Sequence, residues 1–260
     1  MLPASPEEVR EVRIIVNADD LGMSPEVNEA IFELMARGRV TSASLLANAP
    51  ATEQAIRTIP KFPQCSFGVH LNVTEYEPLC RAADLSRLLD VEGKLRPLPA
   101  DFRFTLATFR AIHLEFSTQI EKLLSNGISI SHLDSHMNVH LRAILFPLMK
   151  ILQMTYAIRG IRPRHGLPAP RRQPGWRQRA NTRLYNWIMR HAYTSVMPDV
   201  GAELATLIAA KFEPHPRFQT VEALAHPGNP YYPRDIDLLL SPWEETLPFP
   251  VRLINYHQLG

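Results

Sequence analysis

Val12-Arg-Ile-Ile-Val-Asn-Ala-Asp-Asp-Leu-Gly22 is the stretch of the chain that decides its fold. The branched apolar residues at its start predict a buried β-strand, and Asp19 and Asp20 come where that strand would emerge into a loop. In α/β enzymes, the loops at the carboxyl ends of parallel strands carry the chemistry. The stretch therefore predicts both a strand of a buried parallel sheet and a functional site at its end.

Helices and strands are predicted to alternate after this first strand. Ser24-Pro-Glu26 supplies an N-cap residue, a proline for the first helical position and a first-turn acid, so it predicts a helix from about Glu26 to Arg37. Apolar periodicity predicts further strands at 40–46, 66–73 and 128–133, helices at 52–58, 104–126 and 142–153, and weaker strands at 158–161, 221–225 and 251–255. The alternation indicates one α/β domain over residues 1–260, with about seven mostly parallel strands in an open sheet or a barrel.

Length and composition limit the class of protein. With 260 residues, 45% of them hydrophobic and 21% charged, the chain can bury a sizeable core. Cys65 and Cys80 are the only cysteines, so no disulfide framework is expected. The first ten residues lack the apolar core of a signal peptide, and no stretch is long and apolar enough to span a bilayer. We therefore expect a cytoplasmic protein.

Positive charge is concentrated in one segment rich in arginine and proline, at about residues 159–198. Between Arg159 and Arg190 the chain has nine arginines and no aspartate or glutamate. We expect an excursion outside the regular core, ending in an amphipathic helix somewhere between Asn181 and Val196. A solvated loop that partly covers the barrel is one interpretation; a contact surface for phosphate, anionic lipid or a partner chain, including a homodimer, is the other. No recognised binding motif accompanies the arginines, so nucleic acid is not expected as a partner.

Histidines follow the later apolar segments in the way that the two aspartates follow the first. His70 closes one predicted strand, and His136 and His140 follow another, with Asp134 just before them. One aspartate and two or three histidines, each beyond a different strand, are the ligand chemistry of a divalent metal site. Because His136 and His140 are four residues apart, either a helix or an extended segment would let both reach one cavity.

Each of these residues also has an ordinary structural explanation. Asp20 and Ser24 are typical of turns and helix caps, and a histidine near a strand end is often only a packed core residue. Asp134 has two roles open to it, either orienting His136 or binding the ion itself. Of the two adjacent aspartates, one can bind the ion while the other acts as a general base. The recurrence of such residues after strands is what favours a metal site.

Several ordered motifs resemble the YdjC-like, or ChbG-like, carbohydrate deacetylases, a family that includes chitooligosaccharide deacetylases. The motifs are Val16-Asn-Ala-Asp-Asp-Leu-Gly-Met-Ser-Pro-Glu-Val-Asn-Glu-Ala30, Thr41-Ser-Ala-Ser44, Gly68-Val-His-Leu-Asn-Val-Thr-Glu75, His132-Leu-Asp-Ser-His136 with His140, and His226-Pro-Gly228. The match is dense from about residue 12 to 150, returns near 222 to 256 and is thin between them. The family pattern usually has a further histidine where this chain has Asn138, a departure that concerns substrate contacts.

The resemblance implies a distorted (β/α) barrel related to the polysaccharide deacetylases, with one divalent ion, Mg²⁺ or Zn²⁺. Carried onto this chain, it makes Asp20, His70 and His136 the ligands and Asp19 the general base. His226 is the candidate general acid, with return of the proton by Asp19 as the competing route. The expected neighbours of the ion or contacts to the sugar are Asn72, Thr74, Glu75, Asp134, Asn138 and His140.

The reaction that the resemblance implies is hydrolysis of the N-acetyl group of an acetylated amino sugar or oligosaccharide. A metal-dependent phosphoesterase or a cyclic-amide hydrolase could use the same barrel and ligands. A carbohydrate-binding protein without catalysis would be expected to have lost part of the site, whereas Asp19, Asp20, His70 and His136 are all present.

Overall fold

The computed structural model describes residues 11–81, 83–99, 101–164, 175–209 and 218–259. The strands are β1 (Val12–Leu21), β2 (Ser42–Leu45), β3 (Ser66–Leu71), β4 (Ile130–Ser135), β5 (Gly160–Ile161), β6 (Val200–Glu203), β7 (Thr220–Ala225) and β8 (Val251–Leu253). The α-helices are α1 (Pro25–Ala36), α2 (Thr52–Thr58), α3 (Leu106–Ser125), α4 (Phe146–Tyr156), α5 (Trp176–His191), α6 (Leu204–Ala209) and α7 (Asp235–Leu240). Short 3₁₀ turns occur at Ile59–Lys61, Ala83–Leu88, His136–Leu141, Ala143–Leu145, Trp243–Thr246 and Tyr256–Gln258.

The strands form one curled sheet with β1 at its centre. Seven of them follow the order β5-β4-β3-β2-β1-β7-β6, and β8 pairs with the start of β1. The named strand pairs are all parallel. At the far ends of the order, an isolated parallel bridge joins Gly160 of β5 to Val196, just before β6. The predicted distorted (β/α) barrel is thus confirmed as a partly closed barrel, whose strands end at one common rim.

Local sequence explains where the first helix begins. Ser24 has an extended backbone and its hydroxyl accepts a hydrogen bond from the amide of Val27, and Pro25 occupies the first helical position. The helix then buries one apolar side, including Ile31 and Met35, against the sheet. The predicted start of α1 agrees with the structure to within one residue.

Sequence periodicity was less accurate around α4. The predicted helix at 142–153 begins only at Phe146 and is preceded by a 3₁₀ turn. Pro147 lies in the first helical turn, where its missing amide hydrogen is harmless; further along the helix it would remove a hydrogen bond. Strand β6 and helices α6 and α7 were not predicted, because they are short and lack an extended apolar period.

The sequence predicts that the arginine-rich segment lies outside the core, but the start of this segment is buried. Gly160 and Ile161 form β5, and Arg162 directly after them is almost completely buried. Helix α5 begins at Trp176, before the predicted Asn181, and ends at His191. Residues 165–174, which include two of the arginines, lie outside the described part of the chain.

Among the described residues, no helix combines the length and the apolar character that a bilayer crossing requires.

A glycine in β3 allows the sheet to pack tightly against a histidine of β4. A Cβ atom at Gly68 would lie 2.4 Å from Cε1 of His132, whose buried ring stacks on Tyr256 with centroids 3.7 Å apart. We expect Gly68→Ala to destabilise the fold by about 1–3 kcal/mol, since the ring has no space to move. Urea unfolding measures this change. Gly175→Ala, where a Cβ meets nothing within 4 Å, is the control, and an equal loss in both variants would contradict the packing argument.

Candidate active site

A cavity of about 470 Å³ opens at the rim where the strands end. Its walls come from the loops after β1, β3, β4, β6 and β7, so residues far apart in sequence meet there. The residues that line it are Asp19, Asp20, Met23, His70, Glu75, Ser135, His136, Met137, Asn138, Glu203, Leu224, His226, Asn229, Pro230, Tyr231 and Tyr232. An adjoining groove shares Glu75, His136 and Met137 with this cavity.

The two adjacent aspartates both line the cavity because β1 is irregular at its end. In a regular strand, neighbouring side chains point to opposite faces. Here Asp20 has a φ of 67°, and the pairing of β1 with β2 shifts register between Ala18 and Leu21. This left-handed conformation is uncommon for a residue other than glycine, and it turns Asp20 toward the same space as Asp19.

Asp20, His70 and His136 bring potential ligand atoms to one point. Each offers an atom within 4.8 Å of the other two. Oδ1 of Asp20 lies 2.9 Å from Nδ1 of His136 and 3.5 Å from Nε2 of His70. Burial would raise the pKa of Asp20, but the hydrogen bonds with His136 and His70 hold it well below its usual range. The side chain is therefore a carboxylate at neutral pH, as a metal ligand must be.

Asp134 orients His70 rather than His136. Its Oδ1 lies 2.8 Å from Nδ1 of His70, which leaves Nε2 of that ring facing Asp20. A carboxylate behind a histidine is the usual arrangement around a metal-binding imidazole, because it fixes the ring and its tautomer. Although burial favours the neutral ring, Asp134 and Asp19 raise the pKa of His70 to about 10. A bound cation would take the place of that proton.

Arg162 is the residue that sequence reasoning missed. Its guanidinium donates two hydrogen bonds to Asp19, at 2.8 and 2.6 Å, and lies 2.5 Å from Asp134 and 3.0 Å from Glu222. Arg162 immediately follows a predicted strand, the same position in the fold as the other site residues. That position was the available signal, but the surrounding run of arginines suggested a solvated segment.

The buried guanidinium also discriminates between metal positions. Two further groups could offer three ligand atoms to a cation: Asp19 with His70 and Asp134, and His132 with Asp134 and Glu222. Arg162 contacts carboxylates of both groups, so a cation there would face a fixed positive charge. Asp20, His70 and His136 form no hydrogen bond or ion pair with Arg162, and this donor set of one carboxylate and two imidazoles fits a divalent ion.

Asp19 and His226 form the second half of the site. Burial would raise the pKa of Asp19, but pairing with Arg162 lowers it, so Asp19 stays ionised at neutral pH. Nε2 of His226 lies 3.8 Å from Oδ2 of Asp19, and Nδ1 lies 3.8 Å from carboxylate oxygens of Glu203 and Asp235. Burial would lower the pKa of His226, yet these carboxylates raise it. The ring is therefore protonated over a wider pH range than a free histidine.

The expectation that His140 reaches the same cavity as His136 is wrong. Met137 and Asn138, between the two histidines, both have a φ of 54°, so the segment is neither a regular helix nor a strand. His140 is buried with its Nδ1 2.7 Å from the hydroxyl of Ser135, and it does not line the cavity. Asn138 does line it.

The other predicted sugar contacts divide into supporting and lining residues. Asn72 is buried, and its Oδ1 accepts hydrogen bonds from the amides of Thr74 and Glu75, so it holds the loop after β3. Thr74 is also buried and borders only the adjoining groove. Glu75 is half exposed, lines both spaces and lies 3.0 Å from Nε2 of His136. Of these three residues, Glu75 alone lies in both the cavity and the groove.

Asn229 is a second residue that the sequence did not point to. Its Nδ2 donates a hydrogen bond to Oδ2 of Asp20 at 2.9 Å. It lies three positions after His226, within His226-Pro-Gly-Asn229, so its closeness to a candidate site residue was the available signal. The bond holds the second oxygen of the Asp20 carboxylate in place.

Comparison with known proteins identifies related sequences. A protein-family model described as YdjC-like protein matches residues 13–243. A carbohydrate deacetylase of Geobacillus stearothermophilus is 37% identical over 160 residues, which are 59% of this chain and 62% of that protein. A carbohydrate deacetylase of Halalkalibacterium halodurans is 32% identical over 148 residues, or 56% of this chain and 61% of that protein. The matched part of the chain thus spans about three fifths of the length of these relatives.

Solved structures contain a similar fold. A crystal structure of an Enterococcus faecalis V583 protein, provisionally named a cellobiose-phosphate cleavage protein, superposes with a TM-score of 0.75. The superposition covers 96% of this chain and 99% of that one, at 22% sequence identity. At this identity the likeness establishes the architecture only.

The three ligand positions can be tested by measuring bound metal. We expect His70→Ala and His136→Ala to lose a stoichiometric divalent ion, and Asp134→Asn to weaken its affinity by about 10–100-fold through the loss of orientation. Elemental analysis after gel filtration gives the stoichiometry. His132→Phe, which keeps an aromatic ring against Tyr256, should retain the ion. Loss of metal in that variant with retention in His136→Ala would place the ion in the group of His132, Asp134 and Glu222.

Proposed function

The chain belongs to the YdjC-like protein family, and from that premise we propose that it is a metal-dependent hydrolase that removes the N-acetyl group from an acetylated amino sugar. The observation that carries the proposal is the pairing of two adjacent aspartates in one cavity: Asp20 with two imidazoles, and Asp19 with Arg162. Such an arrangement gives metal binding to one aspartate and proton transfer to its neighbour. The carbohydrate deacetylases among the relatives indicate the class of substrate.

Asp20, His70 and His136 would hold the ion. Imidazole ligands suit zinc better than magnesium, so we propose Zn²⁺ in preference to Mg²⁺. A divalent ion at this position supplies Lewis acidity toward the carbonyl oxygen of the amide and toward water. Asp134 fixes the ring of His70, and Asn229 fixes the carboxylate of Asp20, so the donors are oriented before substrate arrives.

Asp19 is the group that we assign as general base. Its carboxylate is held by Arg162 and by Nδ2 of Asn17 at 2.8 Å, which fixes its direction. In the reaction, a water oxygen forms a bond to the carbonyl carbon of the amide while Asp19 accepts a proton from that water. The lowered pKa of Asp19 makes it a modest base, and a divalent ion held by Asp20, His70 and His136 would supply the acidification of water that such a base needs.

His226 is the group that we assign as general acid. When the carbon–nitrogen bond breaks, the sugar nitrogen must gain a proton to leave as an amine. The raised pKa of His226 favours the protonated imidazole that would donate this proton, and its Nε2 lies 3.8 Å from Oδ2 of Asp19 at the cavity. The products are acetate and the free amino sugar. Asp19 then releases its proton to solvent and His226 takes one up, so both side chains return to their starting states.

The cavity has the walls that a sugar ring requires. Tyr232 stacks on His226 with ring centroids 3.9 Å apart, and the neighbouring Tyr231 is largely exposed at the mouth. Aromatic faces pack against the apolar face of a sugar, while Glu75 and Asn138 offer polar groups to its hydroxyls. The volume of about 470 Å³ is within the usual range for small-molecule sites, about 300–1,000 Å³.

Acetate release from a panel of N-acetylated amino sugars tests the proposal. We expect release that a chelator abolishes and added zinc restores. Asp19→Asn should lower kcat by about 10²–10⁴, the usual contribution of general-base catalysis, while retaining the metal, because Asp19 lies outside the ligand group. Thermal unfolding of this variant checks that the fold survives the loss of the partner of Arg162.

Two outcomes of that experiment would contradict the proposal. Hydrolysis of phosphate esters or cyclic amides in place of acetyl release would assign the site to another metal-dependent hydrolase. Loss of metal in Asp19→Asn with its retention in Asp20→Asn would reverse the roles of the two aspartates.

A further inference from the structure

Helix α5 presents an apolar stripe to solvent. Trp176, Leu184 and Trp187 are 70%, 58% and 60% exposed. At 3.6 residues per turn these positions share one side of the helix, together with Ala180. Tyr185 and Met189 on the opposite side are buried and hold the helix to the body of the protein. The outward side therefore exposes the apolar surface of two indole rings to water, which is unusual for a helix that faces only solvent.

Arginines flank this stripe on both sides. On the helical wheel, Arg179 and Arg183 lie along one edge and Arg177 along the other, and all three are exposed. Helix α5 contains no aspartate or glutamate. Within the described ranges, no carboxylate forms an ion pair with these three arginines; Arg190 alone in the helix has such a partner, Asp199, at 3.1 Å. The positive charge of the stripe's borders is thus unneutralised.

The combination fits one kind of partner. A helix with tryptophan and leucine on one side and arginines along its borders lies in the interface of a membrane, with its apolar side among the acyl chains and its cations at anionic headgroups. A second copy of the chain fits poorly, because a two-fold contact through this stripe would bring the arginines of one copy against those of the other, and like charges repel. We propose that α5 binds the protein peripherally to a bilayer that contains anionic phospholipid.

Helix α5 also supports the rim of the cavity. The hydroxyl of Tyr185 donates a hydrogen bond to the carbonyl of His140 at 3.0 Å. Arg164 stacks on the ring of Tyr185 at 4.1 Å and donates to the carbonyl of Leu141. Both carbonyls belong to the 3₁₀ segment His136–Leu141, which also contributes to the wall of the cavity. The lipid-binding helix is therefore packed directly against one side of the active-site mouth.

Vesicle sedimentation measures the binding. We expect the protein to bind vesicles of phosphatidylglycerol and phosphatidylcholine, to bind pure phosphatidylcholine far more weakly, and to be released by salt. Removal of three charges in Arg177→Gln, Arg179→Gln, Arg183→Gln should lower the partition coefficient by about 100-fold. The double variant Trp176→Ser, Trp187→Ser should also bind less. The indole fluorescence of the wild type should shift to the blue, since the third tryptophan, Trp243, is already buried.

A matched pair of substitutions on another helix controls for general surface effects. Leu106→Ser with Arg110→Gln removes an exposed apolar residue and an exposed arginine from α3, and it should leave vesicle binding unchanged. Equal binding by the α5 variants and the wild type would overturn the proposal. So would a wild type that ignores anionic vesicles but loses a dimer when Trp176 and Trp187 are replaced. Turnover of a small soluble substrate, which tests the catalytic assignment separately, should not change in the α5 variants.

Discussion

The buried ion cluster around Arg162 is the interaction on which the site depends. One guanidinium is shared by Asp19 from β1, Asp134 from β4 and Glu222 from β7, so it ties together strands from both sides of the sheet. Charges buried this deeply are tolerated only when they are paired, and removing one partner is costly. Burial raises the pKa of Glu222 to about 7 despite the arginine, which shows how strongly this environment disfavours an additional negative charge.

The same cluster gives the two adjacent carboxylates different partners, as their proposed roles require. Asp19 is held by the arginine, whereas the left-handed conformation of Asp20 brings its carboxylate to His70 and His136 within the same cavity. Asp134 contacts both halves, since it accepts from His70 with one oxygen and pairs with Arg162 through the other. A change in the charge of either half therefore alters the electrostatic potential at the other, and an exchange of the proposed roles of the two aspartates would require a rearranged cluster.

The sequence could predict which residues meet in this cavity because the polar residues of the candidate site follow its strands. Asp19, Asp20, His70, His136 and His226 all come directly after apolar segments, and parallel strands bring such positions to one rim. Backbone irregularity defeated the same reasoning for His140, because left-handed residues before it broke both periodicities from which its direction was inferred. Arg162 was hidden by composition: eight other arginines lie between Arg159 and Arg190, and a single buried cation cannot be separated from exposed ones by sequence alone. The adjacent strand β5, only two residues long, gave too weak a signal to outweigh them.

Anomalous diffraction at the zinc edge from crystals grown with Zn²⁺ tests the central claim most directly. The account predicts one strong peak bounded by a carboxylate oxygen of Asp20 and one ring nitrogen each of His70 and His136, with Asp19 still paired to Arg162. Zn–N and Zn–O distances of about 2.0–2.2 Å would identify these three residues as ligands. A peak among His132, Asp134 and Glu222, or one bound by Asp19 with Arg162 displaced, would contradict the separation of metal binding from proton transfer.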